Sequence, residues 1–262
     1  MRRIWLRAGG LALLAVAVLV GLTLYFSSEK IPACLVSGAS KWKPPAQGTQ
    51  RYMVVLLNRS VCFFDMSKQR LAGALPLAQA KWVVHAVPPQ SDTLTVADQE
   101  HGVVYATQRN LLGFRVLNLR THAAYVVGFE GFTWNRRFGP NPPSHGLSLA
   151  PDRPELWVLD APNSVVHLFD VSGLPSGRPR PLGDIRLSKP LSGDENPCSH
   201  ACGRLGFLEH SSDGRFVYVG DSGDVIDTQT RQQVANLEAL HNSRVYLEVD
   251  WVDGKPVFPS RR

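Results

Sequence analysis

Between residues 145 and 173 the chain reads HGLSLAPDRPELWVLDAPNSVVHLFDVSG. Its apolar-rich runs GLSLA, ELWVLD and SVVHLFD are each of strand length, and the Pro, Asp, Asn and Gly between them cannot continue a helix, so the pattern predicts three antiparallel strands. The same order returns at 205–230 as LGFLEHSSDGRFVYVGDSGDVIDTQT, with SSDG in place of APDRP, RFVYVGD in place of ELWVLD and DVIDTQT in place of HLFDVSG.

The third strand of each copy ends in an Asp or Asn followed by polar turn formers. This marker recurs in FFDMSKQ (Asp65), VLNLRTH (Asn118), LFDVSG (Asp170) and VIDTQT (Asp227), at spacings of 53, 52 and 57 residues. A fourth apolar run follows each time: LAGALPL, AAYVVGF, LGDIRL and QVANLEAL. A fixed period of four-strand units predicts an all-β fold, a β-propeller whose blades bury their faces against their neighbours.

The stretches APDRPELWVLDAPNSVVHLFDVSG and SSDGRFVYVGDSGDVIDTQTRQQVANL resemble YVTN-type (YncE-like) propeller repeats, in which an SPDG turn leads into an apolar strand, a short turn, V-x-V-x-D and T-G-x-x-V. The resemblance is good over 145–240, partial over 51–130 and absent from the first fifty residues. It implies a fold but no catalytic motif, since members of the family serve varied roles. PDRP replaces PDG in one copy, and the unit at 81–110 lacks that turn.

Length limits the blade number. About 230 residues remain after the N-terminal segment, whereas seven blades of about 42 residues would need about 290. Four long blades, or four plus a split one, fit the chain, giving a propeller of about four to five blades. The segment RVYLEVDWVDGKPVF (244–258) is left over after the fourth unit, while the first unit (YMVVLL, SVCFFD, LAGALPL) is one strand short. Pairing the two would close the ring and remove two exposed sheet edges.

The N-terminus adds a second element. MRRIWLR precedes AGGLALLAVAVLVGLTLYF (8–26), 19 residues without a charge, long enough to cross a hydrocarbon core of about 30 Å as a helix. Arginines on one side and SSEK on the other orient the N-terminus inside and the remainder outside, in the periplasm or extracellular space. A cleaved signal peptide is the competing reading, but the apolar core is long and YFSSEK offers no good cleavage site. IPAC (31–34) leaves lipidation of Cys34 open. The expected organisation is an anchor over 1–30, a linker over 31–50 and the propeller over 51–262.

Formal net charge is +6, but without Arg2, Arg3, Arg7, Arg261 and Arg262 it is only +1. That argues against a nucleic-acid partner. Cysteines outside the membrane tend to oxidise. Cys198 and Cys202 are four apart in a loop and are candidates for a disulfide, with Cys34 and Cys62 as a less favoured second bridge. The alternative for the Cys198, His200 and Cys202 cluster is metal, but its spacing is not that of a zinc knuckle and no second pair follows.

First strands of propeller blades line the central channel, so polar groups at their entrances can converge on a ligand. His145 and Arg204 fall at roughly equivalent places in neighbouring units, and His85 and His200 are further candidates; the bland alternative is polar residues satisfied at a wet channel mouth. Trp134, Arg136 and Arg137 lie in the long loop GFTWNRRFGPNPPSHG (131–146), and long loops on rigid scaffolds often carry binding. Asp160, Asp170, Asp221 and Asp227 recur at strand ends and read as turn residues. No hydrolase, zincin, Walker or dinucleotide motif is present and no cofactor is implied. The expectation is a membrane-anchored extracytoplasmic propeller that binds or scaffolds an unknown protein or small-molecule ligand. The alternative is a propeller enzyme of the lactonase or lyase type with a channel-mouth site built on His145, His85 and His200; a piece of a longer propeller-bearing chain is a third reading.

The anchor is checked by N-terminal sequencing of protein extracted from membranes. The expected sequence begins before residue 8, and a mature terminus beyond residue 26 would contradict it.

Overall fold

The computed structural model of the protein describes residues 42–43, 45–57, 60–68, 70–76, 95–134, 142–194, 203–241 and 246–257. The stretch 8–26 and the first part of the unit at 81–110, up to residue 94, lie outside them. Among the described residues no helix is long and apolar enough to cross a membrane.

Four antiparallel sheets follow one another along the chain. The first joins β1 (Thr49–Leu57), β2 (Ser60–Asp65) and β3 (Arg70–Pro76) to β16 (Tyr246–Val252) and β17 (Lys255–Val257), in the order β17-β16-β1-β2-β3. The second contains β4 (Thr95–Asp98), β5 (Val103–Ala106), β6 (Gly113–Asn118) and β7 (Ala124–Gly128). The third contains β8 (Gly146–Leu149), β9 (Glu155–Asp160), β10 (Val165–Asp170) and β11 (Arg180–Arg186). The fourth contains β12 (Phe207–His210), β13 (Phe216–Gly220), β14 (Asp224–Asp227) and β15 (Gln232–Asn236). Each of these three is a meander whose strands pair in chain order.

The repeated Asp or Asn forms the same turn in each sheet. Asn118 Oδ1 accepts the amides of Arg120 and Thr121 at 2.9 and 3.0 Å, and Asp227 Oδ1 accepts those of Gln229 and Thr230 at 3.0 and 2.8 Å. Asp170 takes the Ser172 amide at 2.8 Å, and Asp65 takes those of Ser67 and Lys68 at 3.0 and 3.1 Å. A short acceptor side chain satisfies backbone donors that the ladder leaves behind, so the chain reverses at that point. On β3, β11 and β15 a bulge follows, opposite Phe63/Phe64, Leu168/Phe169 and Val225/Ile226. A bulge twists an outer strand and makes it a poor template for another chain.

Apolar faces join successive sheets. Tyr105 and Phe114 of the second pack with Leu147, Val158 and Phe169 of the third. Trp157, Leu159 and Leu168 of the third pack with Leu208, Val217 and Ile226 of the fourth. Tyr218 and Val225 of the fourth, with Leu240 in the 3-10 turn that follows it, pack with Met53, Cys62, Phe64 and Tyr246 of the first. This is the stacking of propeller blades, seen at the junctions of the second with the third, the third with the fourth and the fourth with the first sheet.

The leftover C-terminal strand supplies what the first unit lacks. β16 pairs with β1 in seven registered positions, from Thr49↔Val252 to Val55↔Tyr246. Val249 and Trp251 are buried with Tyr52, Val54, Val61 and Phe63 on one face of this sheet. Trp42, in the stretch expected to be linker, belongs to the same cluster and is only 5% exposed. Its indole stacks on Phe63 at 3.9 Å between centroids, and its amide donates to the Ala74 carbonyl. The packed unit therefore includes Trp42 and begins ahead of residue 51, since β1 starts at Thr49 and the large aromatic ring is buried against it.

Polar clamps reinforce the junction between fourth and first sheets. Arg51 Nε donates to Asp250 Oδ1 at 2.7 Å, and Arg51 Nη1 reaches Asp213 Oδ2 of the fourth sheet at 3.1 Å. Glu248 on β16 accepts the Ser212 amide at 2.6 Å. Burial pushes the Glu248 carboxyl up from its ordinary pKa, against the pull of Ser212 and Arg51.

Deleting residues 244–262 is expected to unfold the assembly. Burial of a large apolar side chain is worth about 1.5–3 kcal/mol, and the deletion removes Val249, Trp251 and a whole ladder from a total of about 5–15 kcal/mol. A urea melt of full and shortened chains checks this; a shortened chain with the parent's midpoint would contradict it.

Candidate functional site

The first strands of the third and fourth sheets, β8 and β12, lie side by side, and His145 and Arg204 lie on the segments entering them. His145, immediately before β8, is buried, and its Nδ1 donates to the Gly206 carbonyl at 2.9 Å. Gly206 precedes β12 with φ +69°, and a Cβ there would lie 2.4 Å from Leu159 Cδ2. Only glycine fits that backbone without displacing the core. Asp221 Oδ2 accepts the amides of Leu205 and Gly206 at 3.1 and 3.0 Å, so the approach to β12 is held from both sides.

One layer deeper, Ser148 on β8 meets His210 on β12. Ser148 Oγ accepts the His210 amide at 3.0 Å and is hydrogen-bonded to His210 Nδ1 at 2.8 Å. His210 Nε2 is buried without a partner. Burial, helped by the Arg153 cation, pulls the His210 pKa down to about 3. A Ser and His in contact suggest a nucleophile and its base, but a base should have a pKa near the working pH. An imidazole this weak takes up no proton at neutral pH, so the pair acts as a cross-strand staple.

Of the residues singled out from sequence, His145 and Arg204 lie on the segments entering β8 and β12, and His145 bonds the backbone two positions beyond Arg204. Trp134 is half-buried and packs against the cluster between the second and third sheets. The start of its loop is tied to the third sheet where Asn163 Nδ2 donates to the Thr133 carbonyl at 3.1 Å. His85, Arg136, Arg137, Cys198, His200 and Cys202 lie outside the described residues. Cys62, the cysteine among the described residues, is buried on β2 and is disulfide-bonded. Among the described residues there is no group of three or more His, Cys, Asp or Glu able to hold a metal.

Two features escaped the sequence reading. One is the Ser148 and His210 pair, 62 residues apart and joined only by the apposition of two sheets. The other is a cavity of about 530 Å³ on the first sheet, lined by residues including Trp42, Lys43, Tyr52, Lys68 and Arg70. Its residues lie in three separate stretches, so no local motif announces it.

No family model matches the chain, and no curated protein matches it. Among solved structures, a protein from Lactobacillus plantarum is similar at 14% identity and TM-score 0.41, covering 85% of this chain and 70% of that one. A nidogen/laminin complex is similar at 12% identity and TM-score 0.38, covering 77% and 68%. The WD40 repeats of RRP9 are similar at 10% identity and TM-score 0.35; the match covers 70% of this chain and less than half, 46%, of that one. At such scores the fold description rests on the strand pairing and sheet packing given above.

The His210 site makes a pH prediction. Its folded pKa lies near 3, below the unfolded value of 6.5, so as pH falls below about 6.5 the unfolded chain gains a proton that the folded chain refuses. Stability is lost progressively from about pH 6.5 down to pH 3, by at most about 1.4 kcal/mol per pH unit from this group. Urea melts across that range should show the loss, and His210→Asn should flatten it. An unchanged slope in the variant would contradict the assignment.

Proposed function

We propose that the protein is a β-propeller of the YVTN type, anchored in the cytoplasmic membrane by residues 8–26 and displayed outside it, where it binds or scaffolds a partner. The observation that carries the binding reading over the enzyme reading is the use made of the channel-side histidines. His145 is committed to the Gly206 carbonyl and His210 to Ser148, so both join neighbouring blades.

The charge asymmetry around residues 8–26 supports the anchor and its orientation. The disulfide at Cys62 supports an oxidising compartment, because such bonds persist mainly outside the reducing cytosol. The loop bearing Trp134, Arg136 and Arg137 is the recognition element of this reading, with His145, Arg204 and His85 as its further candidate binding residues. A long loop between rigid sheets offers an aromatic anchor and cations at little cost to the fold. A disulfide between Cys198 and Cys202 would close the loop that leads into the fourth sheet.

Two measurements test this proposal. In spheroplasts, added protease should remove the propeller while leaving a short N-terminal fragment in the membrane; full protection would contradict the orientation. A photo-crosslinking amino acid at position 136 should give a discrete higher-mass adduct in cells, and one at Thr121, in the β6–β7 turn, should not. Adducts at both positions or at neither would contradict a recognition loop.

A further inference from the structure

We infer that the cavity on the first sheet is an oxyanion site, built to take a small carboxylate- or phosphate-bearing ligand. It stands apart from the channel mouth and does not depend on the membrane anchor. Its lining is Trp42, Lys43, Tyr52, Asp65, Lys68, Arg70, Leu71 and Ala72, and its volume of about 530 Å³ falls in the range of small-molecule pockets.

The side chains facing this cavity are donors, and its one carboxylate is already used. Asp65 Oδ1 accepts from Gln50 Nε2 at 2.8 Å, Ser67 Oγ at 2.6 Å and the amides of Ser67 and Lys68. Asp65 Oδ2 accepts from Lys68 Nζ at 2.9 Å. Burial pushes the Asp65 carboxyl up, but the bonds from Ser67 and Lys68 outweigh burial and hold it below its ordinary pKa. It therefore stays ionised and balances Lys68, leaving no capacity for a ligand cation.

Two further cations remain. Lys43 and Arg70 are exposed on the cavity lining and form no ion pair with another described residue. The body of the chain carries almost no excess charge, so two unbalanced cations on one cavity are a local feature. The buried Trp42 indole N–H lies against the Tyr52 hydroxyl and opposes the rise that burial gives that phenol's pKa, so these two groups face each other and the ligand's charge falls to Lys43 and Arg70. The Trp42 and Tyr52 rings, 5.6 Å apart and edge to face, add an apolar wall beside Leu71 and Ala72.

A ligand that fits must bring acceptors and negative charge for Lys43 and Arg70, and an apolar portion for the aromatic wall. An aromatic or aliphatic carboxylate meets these demands, and so does a phosphate ester. The Arg70 guanidinium suits either, since its planar fork matches both oxyanions in a two-point contact.

The test uses the full chain in uncharged detergent. Calorimetric titration with benzoate and with inorganic phosphate is run beside titration with water-soluble short-chain phosphatidylglycerol and short-chain phosphatidylcholine in the same detergent. Binding of a free oxyanion, weakening as salt rises, is the expected result, with a shift of the Trp42 indole N–H resonance. Binding of the short-chain phosphatidylglycerol alone would also support the site and identify a lipid phosphate as the source. Lys43→Gln and Arg70→Gln should each weaken binding by about tenfold or more, as loss of a charge-assisted hydrogen bond does. Both should melt as the parent does, because neither side chain supports the fold, and Arg70→Lys should restore part of the affinity. The absence of binding to every probe, or binding that both variants leave unchanged, would overturn the proposal.

Discussion

The pairing of Thr49–Val55 with Tyr246–Val252 is the constraint on which the rest of the structure depends, because it makes one sheet out of the two ends of the fold. Without it the first sheet would offer the unpaired edge of β1, and the fourth would lose Tyr246 and Glu248 from its packed side. The Tyr246 hydroxyl donates to the Tyr218 carbonyl at 2.9 Å, so the C-terminal strand grips the fourth sheet while it ladders with the first. Long-range pairing of this kind is costly to form because the loop it closes spans nearly the whole chain, although that cost grows slowly with length.

Much of this was legible in the sequence because the determinants are local. Asp65, Asn118, Asp170 and Asp227 each set a turn within three residues of their own position, and the apolar runs between them are of strand length and bounded by turn formers. The leftover strand was legible by subtraction, since one unit lacked a strand and the chain had one to spare. What sequence could not reveal depends on how sheets meet. Trp42 stands alone in a Lys- and Pro-rich stretch, and nothing near it signals that its ring fills a slot between Phe63 and Trp251. Ser148 and His210 become neighbours only when β8 and β12 are side by side.

The same division runs through the candidate sites. His145 and Arg204 could be picked out because the repeat puts them at the entrances of successive inner strands, but the role of His145 follows from the Gly206 carbonyl, which only the folded chain supplies. Histidine is read as chemistry in a sequence and as a hydrogen-bond donor in a core, and burial decides between them. His210 is the clearer case, since desolvation removes its ability to take a proton at neutral pH. The cationic cavity on the first sheet is the reverse: lysines and an arginine that look like ordinary surface charge are assembled around two aromatic rings by the approach of Trp42.

Native-state hydrogen exchange of the β16 amides tests the central claim most directly. If β16 unites the chain ends, its amides should exchange only through global unfolding, with the same free energy as the core amides of Val217 and Val219 on β13. Exchange of β16 at the rate of a fraying terminus, while β13 stays protected, would contradict it.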